Sequence, residues 1–270
     1  MAQNENKKLH GRAELKKYFR NGQIPTETHF AYLIDSAIIQ HDDGISKDEE
    51  NGYVIAPIGS SSRLMTFYKN MDRLEPFFSM EKDLQDPPSL KFQPGISDQD
   101  NGKQEKNAFF FHQDGRMGLG KRSSPNYKLD VAGFTASQGR IGTYVSGKVP
   151  ADGAWHPIIT GLDNCQVFEV VARTGKKDSG RFSIMHAIAT SAFGRSGLCR
   201  GKINKTCSYY GFFWNKLNLR WKSKDIHNYS LELRTNRHYG KGVDIYYNVT
   251  KLWDDKLFTP EGYYHPKKDN

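Results

Sequence analysis

The residues best suited to chemistry in this chain are glycines and a lysine with the spacing of a phosphate-binding loop. Gly115 to Lys121 reads G-x-x-x-x-G-K, and the backbone N–H groups of such a loop cradle phosphates. Arg122 stands where a Ser or Thr would reach a magnesium ion. Pro125 prevents the helix whose N-terminus would face the anion. The motif therefore favours a sharply turning structural loop over a nucleotide site.

Patterns for other catalytic and metal sites do not occur in the sequence. There is no G-x-S-x-G and no H-E-x-x-H, and the three cysteines form no C-x-x-C pair. A glycosidase needs two facing carboxylates, and nothing in the spacing of the carboxylates favours such a pair. We therefore predict no catalytic residue, no metal site and no cofactor.

Basic and aromatic residues are concentrated in the second half of the chain. Residues 134–270 hold 21 Lys and Arg against 11 Asp and Glu, a net charge of +10, and all four tryptophans. A basic half indicates an anionic partner: an acidic or phosphorylated glycan, an acidic protein surface or a nucleic acid. Aromatic rings could stack on sugars while Arg or Lys holds acidic groups, and we expect an anionic surface glycan and not a nucleic acid. A solvated basic surface without a ligand is the open alternative. The candidate ligand-binding residues, most of them in a predicted hairpin loop over 236–242, are Arg220, Arg234, Arg237, His238, Tyr239 and Lys241.

The stretch from Gly115 to Gly133 lies between two parts of different character. Its glycines at 115, 118 and 120 mark sharp turns or close backbone contacts. Tyr127, Leu129 and Val131 alternate with polar residues, which predicts a short half-buried strand. The unit is too small to bury its own apolar face, so it needs another segment or another copy of the chain.

The pattern G-x-x-G-x-G-x-x-x-x-P-x-Y-K-L-D-V-x-G in this stretch resembles an element of phage tail-fibre proteins and of related bacterial fibre and adhesin proteins. Met117, Leu119 and Lys121 stand where that element usually has Val, Ile and Thr. The resemblance implies a homotrimer in which the chains intertwine at this element. The residues that it assigns to trimerisation are Gly115, Gly118, Gly120, Pro125, Tyr127, Leu129, Val131 and Gly133.

The N-terminal part predicts an assembly segment. Pro25 and Thr26 favour a helix start, and Phe30, Ile34 and Ile38 lie on one stripe of a helix over about 27–40. This narrow stripe suits packing against sister helices or against a β-domain. The segment from Phe19 to Ser36 is similar to the start of proteins encoded with bacterial contractile injection systems. That similarity implies docking on other baseplate or tail proteins.

Short alternating runs separated by turn residues predict a mainly β protein with an N-terminal amphipathic helix. His186 is expected in the core or at an interface. No window is apolar enough for a membrane span, and the N-terminus shows no signal peptide. We therefore expect synthesis in the cytoplasm and action as part of a released particle. The predicted regions are a helical docking segment over 1–50, a small β-rich region over 51–112, a glycine-rich connector over 113–154, an antiparallel β-sandwich or jelly roll over 155–258 and a polar tail over 259–270.

These features predict a non-enzymatic structural and attachment protein. It would be the trimeric fibre, spike or surface component of a bacterial, phage-like contractile injection particle, with a basic domain that binds a receptor. A free-standing glycan-binding lectin or adhesin is the second hypothesis, and a polysaccharide-cleaving enzyme is the third. The oligomeric state of the protein separates the first hypothesis from the second.

Overall fold

The chain divides into two compact units, Met1–Thr135 and Ala136–Asn270. Both are mainly β, as the sequence predicts, and the division between them falls inside the predicted connector 113–154. The polar tail 259–270 and Cys199 lie outside the described residues. The computed structural model describes residues 10–40, 42–70, 75–95, 107–194 and 201–258.

Short helices lie at the two ends of the described chain, and all the elements between them are strands. In the first unit they are α1 (Arg12–Tyr18), α2 (Glu27–Asp35), β1 (Ile45–Asp48), β2 (Gly52–Ile55), β3 (Arg63–Tyr68), β4 (Pro76–Asp83), β5 (Ser89–Pro94), β6 (Phe109–His112), β7 (Met117–Leu119) and β8 (Leu129–Val131). In the second unit they are β9 (Val145–Pro150), β10 (His156–Leu162), β11 (Cys165–Gly175), β12 (Phe182–Ala192), β13 (Lys202–Tyr210), β14 (Leu217–Ser223), β15 (Tyr229–Thr235), β16 (Asp244–Asp254) and α3 (Asp255–Phe258).

The helix α2 begins where the sequence predicts it and ends at Asp35, before the expected residue 40. Its apolar stripe is not covered: Phe30, Ile34 and Ile38 are 50%, 57% and 70% exposed, and Ile38 lies beyond the helix end. The stripe is therefore accessible to a partner. Within the described residues, no helix is both long enough and apolar enough to cross a membrane.

The larger sheet of the first unit has six strands in the order β3-β4-β5-β6-β7-β8. Neighbouring strands are antiparallel, except that β7 and β8 are parallel. The parallel pair arises because the chain crosses back over the loop 120–128 before it enters β8. Gly115 and Gly120 flank β7, and Gly118 lies inside it. Because β7 and β8 both belong to the six-stranded sheet, the Gly115–Gly133 stretch pairs with strands of its own chain.

One face of this sheet, the apolar sheet face, carries large apolar side chains on all six strands. Residues directly opposite each other in neighbouring strands lie on the same face, which allows the face to be read from the register. Phe109, Phe111 and Leu129 on this face are 40%, 44% and 57% exposed. Six strands span about 25 Å, and an apolar surface of that width is a candidate for an interaction surface. Lys82 also lies on this face, and its apolar residues include Met65, Phe67, Phe78, Met80, Leu90, Phe92, Phe109, Phe111, Met117, Leu119, Leu129 and Val131.

The loop 120–128 of the same chain packs on the opposite face of the sheet at β6 and β7. Phe110 is fully buried there, and its ring stacks on His112 with 6.3 Å between centroids. The Ser123 backbone N–H donates to His112 Nε2 at 3.1 Å, and the buried Arg116 guanidinium donates to Ser123 O at 2.8 Å. These hydrogen bonds hold the loop on the sheet, so the neighbour that the central stretch needs is supplied within the chain.

Positions 115, 118 and 120 of this stretch favour glycine for different physical reasons. Gly115 and Gly120 have φ of +78° and +72°, which favour glycine. A Cβ atom on Gly118 would lie 2.1 Å from Lys121 O, so the loop backbone leaves no room for a side chain. All three requirements come from contacts and backbone angles within one chain. A threefold axis is therefore not needed to explain these glycines, and trimerisation stays a prediction.

The second unit is a β-sandwich. Its five-stranded sheet has the order β13-β12-β11-β16-β9, and its three-stranded sheet has the order β10-β15-β14. The inner faces of both sheets contribute to one continuous core, while alternate residues point away from it. This agrees with the predicted antiparallel sandwich. The most buried core residues are Phe168, Val170, Met185, Leu217, Tyr229, Leu231, Leu233, Ile245 and Val249.

The sequence indicates a linker or a thin strand over 134–155 and predicts no strand over 156–162. The sandwich begins with β9 at Val145, ahead of the predicted start at residue 155, and β10 follows. Gly147 and Pro150 in β9, and Pro157 and Gly161 in β10, lower the local strand propensity. Pairing with β16 and β15 overrides that propensity, which is a tertiary effect that the local pattern does not contain.

Candidate functional site

Four loops meet at one end of the sandwich, hereafter the loop end. The paired ends of the strands bring them there, and direct hydrogen bonds join them. The Tyr239 backbone N–H donates to Ala151 O at 2.8 Å, and the Arg181 guanidinium donates to His238 O at 3.4 Å. The loop end therefore presents one continuous surface. Its loops are 151–155, 176–181, 211–216 and 236–243.

The loop end is basic. Its four loops contain six Lys or Arg residues and two Asp residues. One of the two, Asp152, accepts a hydrogen bond from His156 Nε2 at 2.8 Å, and this bond lowers the pKa of Asp152. The excess of positive charge favours an anionic partner. The basic residues are Lys176, Lys177, Arg181, Lys216, Arg237 and Lys241.

Two of the predicted ligand-binding arginines meet at Trp155. The guanidinium carbons of Arg220 and Arg234 lie 4.2 Å and 4.3 Å from the centroid of the partly exposed Trp155 ring. Both arginines project from the outer face of the three-stranded sheet, where Arg220 lies opposite Glu232 and Arg234 lies opposite Asn218. The two cation–π contacts hold both side chains in place. The structure thus brings to one tryptophan ring two arginines that the sequence identified only as separate candidates.

The two arginines differ in whether a carboxylate neutralises their charge. Arg220 Nε and Nη2 both donate to Glu232 Oε2 at 2.7 Å, so the Arg220 charge is neutralised. Arg234 Nε is buried and has no hydrogen-bond partner among the described residues. Lys205 extends from the neighbouring β13 and donates to Leu217 O at 3.2 Å, close to the β14 position opposite Arg234. Arg234 is therefore the better candidate for an external anion.

Two further cations lie near Arg234. Burial is the main reason that the pKa of Lys205 is lowered, and the positive charges of Lys216 and Arg234 lower it further. Lys205 Nζ donates to Leu217 O at 3.2 Å, next to the β14 residue opposite Arg234, and Lys216 ends the adjoining turn. These residues, Lys205, Lys216 and Arg234, are named the cationic cluster. A bound carboxylate, sulfate or phosphate would offset their mutual repulsion.

The remaining predicted ligand residues lie in the loop 236–243. The Arg237 guanidinium carbon lies 4.6 Å from the centroid of the Trp214 ring. His238 Nδ1 accepts a hydrogen bond from the Gly240 backbone N–H at 2.8 Å, which fixes the imidazole against its own loop. Arg237, His238 and Lys241 are exposed, as expected of a surface hairpin.

Tyr239 is an exception to the predicted exposure of this loop. It is 5% exposed and belongs to the sandwich core, so its ring does not face a ligand. The backbone bond to Ala151 draws this residue inward. Burial raises the pKa of Tyr239 to about 12. The prediction of Tyr239 as an exposed ligand residue is therefore wrong, and the side chain is instead part of the sandwich core.

We expect alkaline pH to destabilise the sandwich partly through Tyr239. Between pH 10 and about 12 the unfolded chain loses the Tyr239 proton while the folded chain keeps it, so stability falls as the pH rises. With an allowance for solvent screening, Tyr239 accounts for about 1 kcal/mol. Urea unfolding at a series of pH values should show a shallower alkaline loss for Tyr239→Phe. The exposed control Tyr210→Phe should follow the wild type, and an equal alkaline loss in Tyr239→Phe would contradict the assignment.

The sequence prediction missed the two most prominent side chains at the loop end. Phe212 and Phe213 are 64% and 66% exposed in the turn between β13 and β14. The sequence predicts a strand over 202–214, which would include the aromatic run from Tyr209 to Trp214. The strand ends at Tyr210, because Gly211 has a φ of +92° and begins a turn. That glycine is the signal that could have identified the turn.

The outer face of the five-stranded sheet is also partly apolar. His186 lies there and is exposed, with its Nε2 3.0 Å from Glu169 Oε1, so it is not in the core, and a position at an interface stays a prediction. The reason is the alternation of β12, in which Met185 and Ala187 point inward. A shallow cavity of about 320 Å³ opens on this face near the loop end. Its lining includes Arg173, Phe182, Ile184, Ser208, Tyr209 and Tyr210.

Comparisons with known proteins found no protein family, no curated protein and no solved structure that matches this chain. Among the described residues, no group of three or more His, Cys, Asp or Glu side chains is placed to hold a metal ion. Cys165 and Cys207 are free and half-buried. The trimerisation residues predicted from the sequence lie in the first unit, whereas the predicted ligand residues lie in the second.

Proposed function

We propose that the chain is a non-enzymatic structural and attachment component of a phage-like contractile particle. In this proposal it assembles as a homotrimer through the first unit, and the sandwich faces an anionic surface glycan. The tail-fibre-like element and the uncovered apolar sheet face support the assembly part. The exposed stripe of α2 provides a surface for docking on other particle proteins.

The observation that carries the attachment part is the cationic cluster around Arg234. The Arg234 guanidinium lies on Trp155, no carboxylate among the described residues neutralises it, and the charges of Lys205 and Lys216 act in its neighbourhood. An acidic group of a sugar would accept from Arg234 and offset the repulsion within the cluster. Hydrogen bonds to charged groups of this kind contribute about 1.5–3 kcal/mol. The cluster therefore suits the acidic group of a polysaccharide.

Binding to a polyuronate, measured by calorimetry at low and high salt, tests this function. We expect salt-sensitive binding by the wild type and a loss of affinity of about tenfold or more in Arg234→Gln, because one charged hydrogen bond is removed. Lys224→Gln is the charge-matched control, since Lys224 lies in the turn between β14 and β15 at the other end of the sandwich. It should change the affinity less than twofold.

Two outcomes would contradict the attachment part of the proposal. The first is a wild type that binds no polyuronate, sulfated polysaccharide or other acidic glycan at low salt. The second is an equal loss of affinity in Arg234→Gln and Lys224→Gln, which would show that only net charge matters. A neutral dextran should not bind in either case.

A further inference from the structure

The turn between β13 and β14 projects two phenylalanines from the loop end, and we name residues 211–216 the aromatic tip. Phe212 and Phe213 are 64% and 66% exposed. Both pack against Trp214: the Phe212 ring stacks on it with 4.6 Å between centroids, and the Phe213 ring meets it edge-on at 4.8 Å. Three aromatic rings thus form one convex apolar knob at the loop end.

The aromatic tip is held in a fixed shape. Asn215 is 2% exposed, and its Nδ2 donates to Tyr210 O at 3.1 Å while its backbone N–H donates to Phe212 O at 2.9 Å. A Cβ atom on Gly211 would lie 2.7 Å from Gly180 O, so the turn also packs tightly against the neighbouring loop. These contacts prevent the turn from relaxing so as to bury the two phenylalanines.

The surroundings of the tip carry positive charge. Lys216 ends the turn, and the Arg237 guanidinium lies over the Trp214 ring at 4.6 Å. Lys176, Lys177 and Arg181 lie in the loop 176–181, which contacts Gly211. An apolar knob with cations around its base is complementary to a surface that is apolar inside and anionic outside.

The geometry of the rings argues against a sugar at the tip. A sugar needs a free ring face with polar groups beside it, but the Trp214 ring is in contact with Phe212, Phe213 and Arg237. Phe212 and Phe213 have no polar atoms with which to recognise hydroxyl groups. A convex shape also suits penetration into a soft surface better than enclosure of a small ligand.

We propose that the aromatic tip inserts into the surface of a lipid bilayer that carries anionic headgroups. Phe212 and Phe213 enter the boundary between headgroups and acyl chains, and the cations of the loop end bind the headgroup charges. This lipid contact goes beyond the glycan contact at Arg234, and Lys216 borders both. It adds a second surface that the attachment function does not require.

Co-sedimentation of the full chain with vesicles tests the insertion. We expect the wild type to bind vesicles of equal parts phosphatidylcholine and phosphatidylglycerol, and to remain in the supernatant with phosphatidylcholine alone. Phe212→Ser/Phe213→Ser should lower the partition onto the mixed vesicles about tenfold or more, because two apolar side chains are lost. Phe134→Ser/Ile141→Ser removes two exposed apolar residues elsewhere and should leave the partition unchanged.

Lys216→Gln/Arg237→Gln provides an independent variant that keeps both phenylalanines. It should lower the partition onto the mixed vesicles several-fold, in proportion to the lost charge. The proposal is overturned if the wild type ignores the mixed vesicles, if it binds both vesicle types equally, or if the phenylalanine variant binds as well as the wild type. Loss of polyuronate binding in that variant, without vesicle binding by the wild type, would assign the tip to the glycan instead.

Discussion

Placing two lysines on the apolar sheet face should convert the proposed trimer into monomers. Phe109 and Phe111 lie in the central part of this face and are 40% and 44% exposed in a single chain. In a trimer that covers the face, each Phe→Lys change removes about 1.5–3 kcal/mol of burial and adds a buried charge. Phe109→Lys/Phe111→Lys should therefore abolish association at micromolar concentration, measured by analytical ultracentrifugation.

The control for assembly uses apolar residues outside this face. Ile24 and Ile58 are 89% and 61% exposed and belong to the same unit, so Ile24→Lys/Ile58→Lys adds the same charge and should remain trimeric. A charged variant that still forms trimers would show that the apolar sheet face is not the interface. A wild type that sediments as a monomer would remove the trimer itself and favour the free-standing lectin.

Gly118→Ala should unfold the six-stranded sheet. The added Cβ would lie 2.1 Å from Lys121 O and 2.9 Å from Ser123 N, and both atoms belong to a backbone fixed by hydrogen bonds to the sheet. Because neither atom can move freely, we expect a loss of about 3 kcal/mol of stability in the first unit. Limited proteolysis should then cut the first unit while the sandwich persists.

Two further glycines form a graded series with Gly118. Gly139 has open space and no left-handed backbone, so Gly139→Ala should change stability by less than about 0.5 kcal/mol. Gly115 has open space but a φ of +78°, so Gly115→Ala should cost about 1 kcal/mol. If Gly118→Ala were as stable as Gly139→Ala, the tight packing of the loop on β7 would be incorrect.

The sandwich was largely predictable because its strands alternate in the sequence. Leu231 and Leu233 are fully buried, whereas Glu232 and Arg234 between them are only partly so, as a period of two requires. The sequence could not show that β9 and β10 extend this sandwich, since their stability comes from pairing with distant strands. The apolar sheet face shows the same limit: single strands reveal apolar residues, but only the register aligns them into one surface.

The residue types of the candidate site could be predicted from the sequence, but their arrangement in space could not. Arg220 and Arg234 were selected as exposed arginines on predicted strands, and the structure places both on Trp155. Lys205 was not selected, because its proximity to Arg234 depends on how β13 lies beside β14. Tyr239 was selected and is buried, because a backbone bond to a distant loop decides its position.

The fixed shape of the aromatic tip has a consequence for handling the protein. Because contacts of Gly211 and Asn215 fix the turn, the two phenylalanines cannot fold inward and stay in contact with the surrounding solvent. Detergent micelles would coat this knob, and plastic or glass would adsorb it in the same way. Lipid binding measured with residual detergent would therefore come out weaker than lipid binding measured without it, while polyuronate binding at Arg234 would not.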